Sequence, residues 1–379
     1  MKKVKYGVVI VSLLIILLLS YFALQNKDSN KTFMQDGILF AMTKDGEEVT
    51  SFPTNGKYKV KIDCKNGKGK YFYDTKEKIW KFRVTNIIDK VSCNVDFTTV
   101  SSSDLLSVVA STEGTSGKGS IVNEGDAGFR YEGQDPNNYI WFNNELWRII
   151  GVIPTKVDSS GTTENLVKII RNETIGGLAY DAKSSSSEYT VAWGSNTLYS
   201  LLNEYYFGKK DGTNTTGCYG FQTTAKAKCD YTEIGINGAD YYGSMIKKVY
   251  WNTGASTNDA TASTVYGTEK ATQTIYNYVG LMSASDYGYA TSESHSTNLS
   301  AYGNESHTLN NWLYGQGTEW TNIQNSGNAY SALRVFNDGF VSSINACYGK
   351  AARPVVYLDS NIYVSSGDGS QLNPYILVK

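Results

Sequence analysis

Histidine is nearly absent from this chain: His295 and His307 are the only two in 379 residues. No C-x-x-C occurs either, so a zinc site has too few ligands to build. There is no G-x-S-x-G for a serine hydrolase, and no glycine-rich phosphate loop following a strand. Charge of one sign is missing as well. Lys+Arg number 35 against Asp+Glu 36, which removes the electrostatic reason to expect nucleic acid. These absences leave no motif for a cofactor or a metal. What is present in quantity is tyrosine (29), glycine (36) and long tracts of Ser, Thr and Asn. That mixture is common in exposed recognition loops and in extracellular β proteins generally.

One long hydrophobic run exists, Tyr6 to Leu24, preceded by Lys2, Lys3 and Lys5. It carries no charge and is long enough, as a helix, to cross a hydrocarbon core of roughly 30 Å. The lysines predict a cytoplasmic tail over 1–5 and a single-pass signal anchor over 6–24, with the remainder extracellular. A cleaved signal peptide is the alternative. However, SYFALQN puts Tyr21 where a small residue is wanted at a cleavage site. Outside the cell thiols oxidise, so Cys64 with Cys93 and Cys218 with Cys229 are plausible disulfides, leaving Cys347; five cysteines allow other pairings.

After a polar stalk over 25–31, VKIDC, KYFYD, KIWKFRV and VSCNVDF read as short strands separated by turn residues. They predict a small all-β module over 32–100. The Ser/Gly-rich stretch 101–130 reads as a linker. A larger domain over 131–379 opens with a hairpin, YIWF and LWRIIGVI around NNE, then LVKIIRNE. Two helices are predicted from apolar spacing. One is capped by Ser195 and carries Leu198, Leu201, Leu202 and Tyr205; the other carries Tyr242, Met245, Ile246, Val249 and Tyr250. Polar excursions follow residue 251 and span 291–308, and the chain ends in strands, with an Asn-Asp-Gly hairpin between SALRVF and FVSSINA.

In order, YIWFNNELWRIIGV, LYSLLNEYYF, VGLMSASDYGYA, ALRVFNDGFV, ARPVVYL and GDGSQLNPYIL resemble a bacterial cell-surface family of uncharacterised modules. That family is distantly similar to formylglycine-generating (sulfatase-modifying) proteins within the C-type-lectin-like superfamily. The resemblance covers roughly 131–379. The smaller module, through CKNGKGKYFYDTKEKIWKFRV and SCNVDF, is similar to a β domain that often accompanies it. The resemblance implies an α+β, C-type-lectin-like mixed domain whose long irregular loops do the binding. Fold similarity by itself gives only a prior on function.

Formylglycine-generating enzymes use a reactive cysteine pair. Here only Cys347 lies in the corresponding neighbourhood, so the oxidase chemistry does not carry over. Cys347 as a nucleophile would need His295 or His307 to fold back to it as base. Gln134, Asp135, Pro136 and Asn137 resemble a calcium-lectin ligand set, as do Asn337 and Asp338. The first group precedes the opening hairpin, however, and the second is what a tight turn requires. The aromatics nearest the polar excursions, Trp251, Trp312, Tyr314 and Trp320, are the candidate contact residues. The expectation is a membrane-anchored extracellular binding protein, not an enzyme, whose partner is a surface protein or glycan. The alternatives are an enzyme using Cys347 and a structural envelope component.

Overall fold

A computed structural model describes residues 32–35, 37–52, 58–74, 79–99, 105–110, 114–315 and 317–379. Two compact units emerge, a smaller one drawn from the segment before residue 100 and a larger one taking in 100–379.

In the smaller unit Thr32–Gln35, Ile38–Lys44, Ser92–Thr99 and Tyr58–Lys65 lie side by side in one sheet. Glu47–Val49 folds back onto Ile38–Lys44 through Asp45 and Gly46, both at positive φ. Lys68–Asp74 and Ile79–Thr85 form a separate hairpin. Alternation along Ser92–Thr99 buries Cys93, Val95 and Phe97 and leaves Asn94 and Asp96 exposed, the period-two signature of a strand with one wet face. Cys93 is bonded to Cys64 across the sheet.

The larger unit is built on an eleven-stranded sheet. Its spine runs Ile246–Lys247, Val355–Leu358, Thr163–Arg171, Glu145–Lys156, Phe129–Asp135, Lys118–Asn123 and Gly114–Ser116. The opening hairpin forms as expected. Asn143 and Asn144, at φ 52° and 63°, make the two-residue turn between Tyr139–Phe142 and Glu145–Lys156. Tyr139–Phe142 also pairs in parallel with the C-terminal Tyr375–Val378, tying the end of the unit to its start. A second sheet holds Gly177–Ala179, Gly349–Ala351, Glu319–Gln324, Ser331–Val335 and Val341–Asn345. The Asn-Asp-Gly turn joins the last two, with Gly339 at φ 94°.

Several expectations are corrected. The expected α+β mixed domain is not what forms: among the described residues the protein is mostly β, with 42% strand and 15% helix. The expected second helix is a single turn, Gly243–Met245, followed by strands Ile246–Lys247 and Val249–Trp251. Its β-branched and aromatic residues suit a pleated surface, and Val355–Leu358 and Ile275–Asn277 supply sheet partners that spacing cannot reveal. The first helix starts one residue later than expected. Asn196 caps it by accepting from the Tyr199 amide, and after Thr197–Ser200 it widens into a π-helical turn, Leu201–Tyr206. The supposed linker over 101–130 contains the helix Leu105–Ala110 and the strands Gly114–Ser116 and Lys118–Asn123, the first of which edges the main sheet. The apolar run 6–24 lies outside the described residues. Among those described, no helix is long and apolar enough to cross a membrane, so the transmembrane element of the expected architecture is unsupported.

Candidate functional site

The four aromatics singled out in the sequence separate into two pairs. Trp251 and Trp320 are 1% and 0% exposed. Their indole N–H groups donate to the Asn277 and Leu178 carbonyls, and their rings pack edge-on against Tyr357 and Tyr180. They are core. Trp312 and Tyr314, by contrast, line a pocket of about 350 Å³ together with Gln134, Tyr139, Arg148 and Arg353. Asn172, Thr308, Leu309 and Asn311 complete its wall.

Arg148 interrupts the apolar run 146–154 of the strand Glu145–Lys156 and is only 6% exposed. Its guanidinium is held on three sides. Nε donates to Asn138 Oδ1 at 2.7 Å, while Nη2 donates to Asp135 Oδ1 at 2.9 Å and to the Pro136 carbonyl at 3.3 Å. The Tyr139 and Trp312 rings flank it, with centroids 4.0 and 4.6 Å from Cζ. Burial, opposed by Tyr139 and Asp135 and reinforced by the nearby Arg353 charge, brings its pKa down to about 10. Trp312 is fixed in turn by its indole N–H on the Tyr131 carbonyl, 2.8 Å away.

Arg353 is 2% exposed and grips Glu319 with two hydrogen bonds, Nε to Oε1 at 2.7 Å and Nη2 to Oε2 at 2.8 Å. Nη2 also reaches the Leu313 carbonyl. Among the described residues, neither Nη1, of Arg148 or of Arg353, has a hydrogen-bond acceptor. Tyr314 stands half-buried at the wall, its hydroxyl donating to the Asn337 carbonyl at 2.9 Å. Two rigidly held guanidiniums thus keep spare donors that can meet the oxygen acceptors of a ligand.

A larger cavity, about 680 Å³, runs beside Thr174–Gly177 and Ala227–Ile234. It holds no arginine, and its charged groups, Lys228, Asp230 and Glu233, are surface residues. Volume is a weaker criterion than convergent buried donors, so the smaller pocket is the better site.

Other chemistry-bearing groups serve the fold. Asp286 caps its own helix through the Ser283 amide and pairs with Lys168 at 2.5 Å and Arg130 at 2.6 Å, all buried. Although burial works to raise its pKa, the two cations win and hold Asp286 below the usual carboxylate range. Glu269, 0% exposed, accepts from the Ser285 amide and hydroxyl; burial raises its pKa to about 7. His295 lies between Glu124 and Glu132, at 3.2 and 3.8 Å. Burial alone would lower its pKa, yet the Glu124 and Thr291 hydrogen bonds and the two carboxylates raise it. The three side chains converge closely enough to hold a cation, although Nε2 of His295 is engaged by the Thr291 carbonyl at 2.8 Å.

Cys218 is bonded to Cys229, and Cys347 is free and buried. Beside that thiol lies the hydroxyl of Tyr189, whose pKa rises to about 12 through burial and the contact with Cys347. The partners of both histidines lie elsewhere: Glu124, Glu132 and Thr291 for His295, Asn304 for His307.

Sequence reasoning missed both arginines. The available signal was a cation inside an apolar strand pattern, LWRIIGVI and ARPVV, which demands a partner or a purpose. Comparison with protein-family models, with curated proteins and with solved structures found no match.

Proposed function

We propose that the chain is an extracellular binding protein, not an enzyme, and that it takes up a protein or glycan ligand at the pocket of Arg148, Trp312, Tyr314 and Arg353. Its two disulfides are the chemistry of a protein that matures in an oxidising compartment. One observation carries the binding reading: two buried, rigidly held guanidiniums each keep an N–H without an acceptor among the described residues. Neither Nη1 is sealed from solvent, so each can exchange water for a ligand acceptor in a charge-assisted hydrogen bond. The lone buried thiol, with a tyrosine rather than a base beside it, argues against the Cys347 enzyme.

The test is a screen of the full chain against arrays of glycans and purified surface proteins, repeated with Tyr314→Ala. Tyr314 is half-buried and joined to Asn337 by one hydrogen bond, so the fold should survive its truncation. A specific ligand whose affinity falls at least tenfold in the variant is the expected result. Absence of any ligand, or a ligand indifferent to Tyr314→Ala, would count against this site.

A further inference from the structure

We infer that the group seated in this pocket is a carboxylate carried on a sugar ring, an inference that rests on the binding reading above and narrows it to acidic glycans. Four observations lead there.

The first is preorganisation. Arg148 is anchored by Asn138, Asp135 and Pro136 and clamped between two aromatic rings, so it cannot swing away from an anion or fold in to meet one. Arg353 is locked by its two-pronged pairing with Glu319. A receptor already in its bound geometry loses little entropy on binding. Guanidinium N–H groups match the planar acceptor geometry of a carboxylate.

The second is charge. Each arginine already has one carboxylate partner, Asp135 or Glu319, so the pair carries no net excess. Any anion therefore adds uncompensated charge here, one for a carboxylate and two for a phosphate dianion, and the carboxylate is the less costly guest.

The third is size and lining. A space of about 350 Å³ lies at the small end of ligand pockets, the scale of one ring rather than a folded loop. At its margin Gln134, Asn172 and Thr308 offer amide and hydroxyl groups to a polyhydroxylated ligand. Gln134 is exposed and Leu309, 55% exposed, adds an apolar edge against which C–H groups can rest.

The fourth is what the pocket lacks. An extended peptide gains affinity by adding to an open strand edge. The strands that bring Tyr139 and Arg148 here are paired on both sides, Tyr139–Phe142 by Glu145–Lys156 and Tyr375–Val378, whereas Phe129–Asp135, which brings Gln134, pairs with Lys118–Asn123 but meets Glu145–Lys156 only at Phe129 and Arg130. Glu145–Lys156 is flanked in the same way by Thr163–Arg171. At Tyr139 and Arg148 a peptide finds no open strand edge to join.

Calorimetric titration of the full chain with glucuronic acid, glucose, sodium sulfate and a short peptide ending in a free carboxylate tests this directly. Glucuronic acid should bind saturably, at least tenfold more tightly than any of the other three. Arg148→Lys keeps the charge but loses the planar fork, and should weaken glucuronic acid at least tenfold. Because Arg148 is buried and its replacement can unfold the protein, Gln134→Ala at the exposed rim is the second variant. It should weaken the sugar acid about threefold and leave sulfate unchanged. Equal binding of glucose and glucuronic acid, sulfate as tight as the sugar acid, or the peptide as the best ligand would each overturn the inference. Failure to bind glucuronic acid at all would do the same. If the array instead yields a neutral glycan lost in Tyr314→Ala, the binding site stands and the carboxylate falls. If it yields nothing, the binding reading itself falls.

Discussion

The two units solve the same problem, holding β strands together, by different means. In the smaller one the packing is dominated by a knot of aromatic rings. Phe40 meets Phe52 and Phe82 edge-on at 5.2 and 5.0 Å, and Tyr71 meets Phe97 at 5.5 Å. Around that knot the turn residues Ile87 and Ile88 are 61% and 87% exposed. A unit with so little interior needs a staple, and Cys64–Cys93 closes a loop with a sequence separation of 29. The larger unit buries Trp147, Trp251 and Trp320 and many tyrosines outright, and encloses charges as well: Arg130, Lys168 and Asp286 in one cluster, Arg353 with Glu319 in another. Its own disulfide, with a separation of only 11, is a local loop fastener. Size is what permits polarity inside: a large core has room for partners such as Asp286 for Arg130 and Lys168, and a small one has little.

Four variants would break or sharpen that contrast. The largest effect is expected from Trp320→Ala, which empties a fully buried site and strands the Leu178 carbonyl. The larger unit should lose about 3–5 kcal/mol, with amide exchange accelerating across its second sheet while the smaller unit's strands keep their protection. A loss under about 1 kcal/mol would mean that this part of the core collapses onto the gap.

Next comes the staple. The double variant Cys64→Ser with Cys93→Ser should cost the smaller unit about 3–4 kcal/mol, as loop-closure entropy predicts for that separation, enough to expose its strands to exchange. Replacing Cys218 and Cys229 in the same way should cost somewhat less, about 3 kcal/mol at most, and leave the larger unit folded. Equal sensitivity of both units would dissolve the distinction.

The smallest effect is pH-dependent. Glu269 has a folded pKa near 7 because burial penalises its charge, against an ordinary value of 4.5. Between those values the unfolded chain has released a proton that the folded chain retains, so this group's contribution to stability falls as pH rises through the window. Glu269→Gln removes that loss. Relative to the unmodified protein it should gain about 2–3 kcal/mol between pH 4.5 and pH 8 in denaturant melts. A variant whose relative stability does not change with pH would show that the carboxyl is solvated or that a neighbour takes over its titration.

Local features were the legible ones. The hairpin at Asn143–Asn144 and the Asn-Asp-Gly turn were readable because turn chemistry and period-two alternation act over a handful of residues. Tyr242–Trp251 misled because five apolar residues at helical spacing also fit two short strands, and only sheet partners far along the chain decide between them. The candidate site was half legible. Trp312 and Tyr314 stand at the pocket, while Trp251 and Trp320, the same residue types beside similar polar stretches, are core. Aromatic character marks a residue as valuable to bury or to bind with, without saying which.

By itself, then, the sequence determined composition class, the positions of tight turns and the strand-forming tendency of most apolar runs, since each is a property of neighbours along the chain. Tertiary structure alone decided that Tyr375–Val378 returns to the opening hairpin, that Cys64 meets Cys93, and that Arg148 and Arg353 face one pocket. The physical reason is range. Turn and strand preferences are local, whereas the order of strands in a sheet, and the company a buried guanidinium keeps, are set by which surfaces pack together once the whole chain has collapsed.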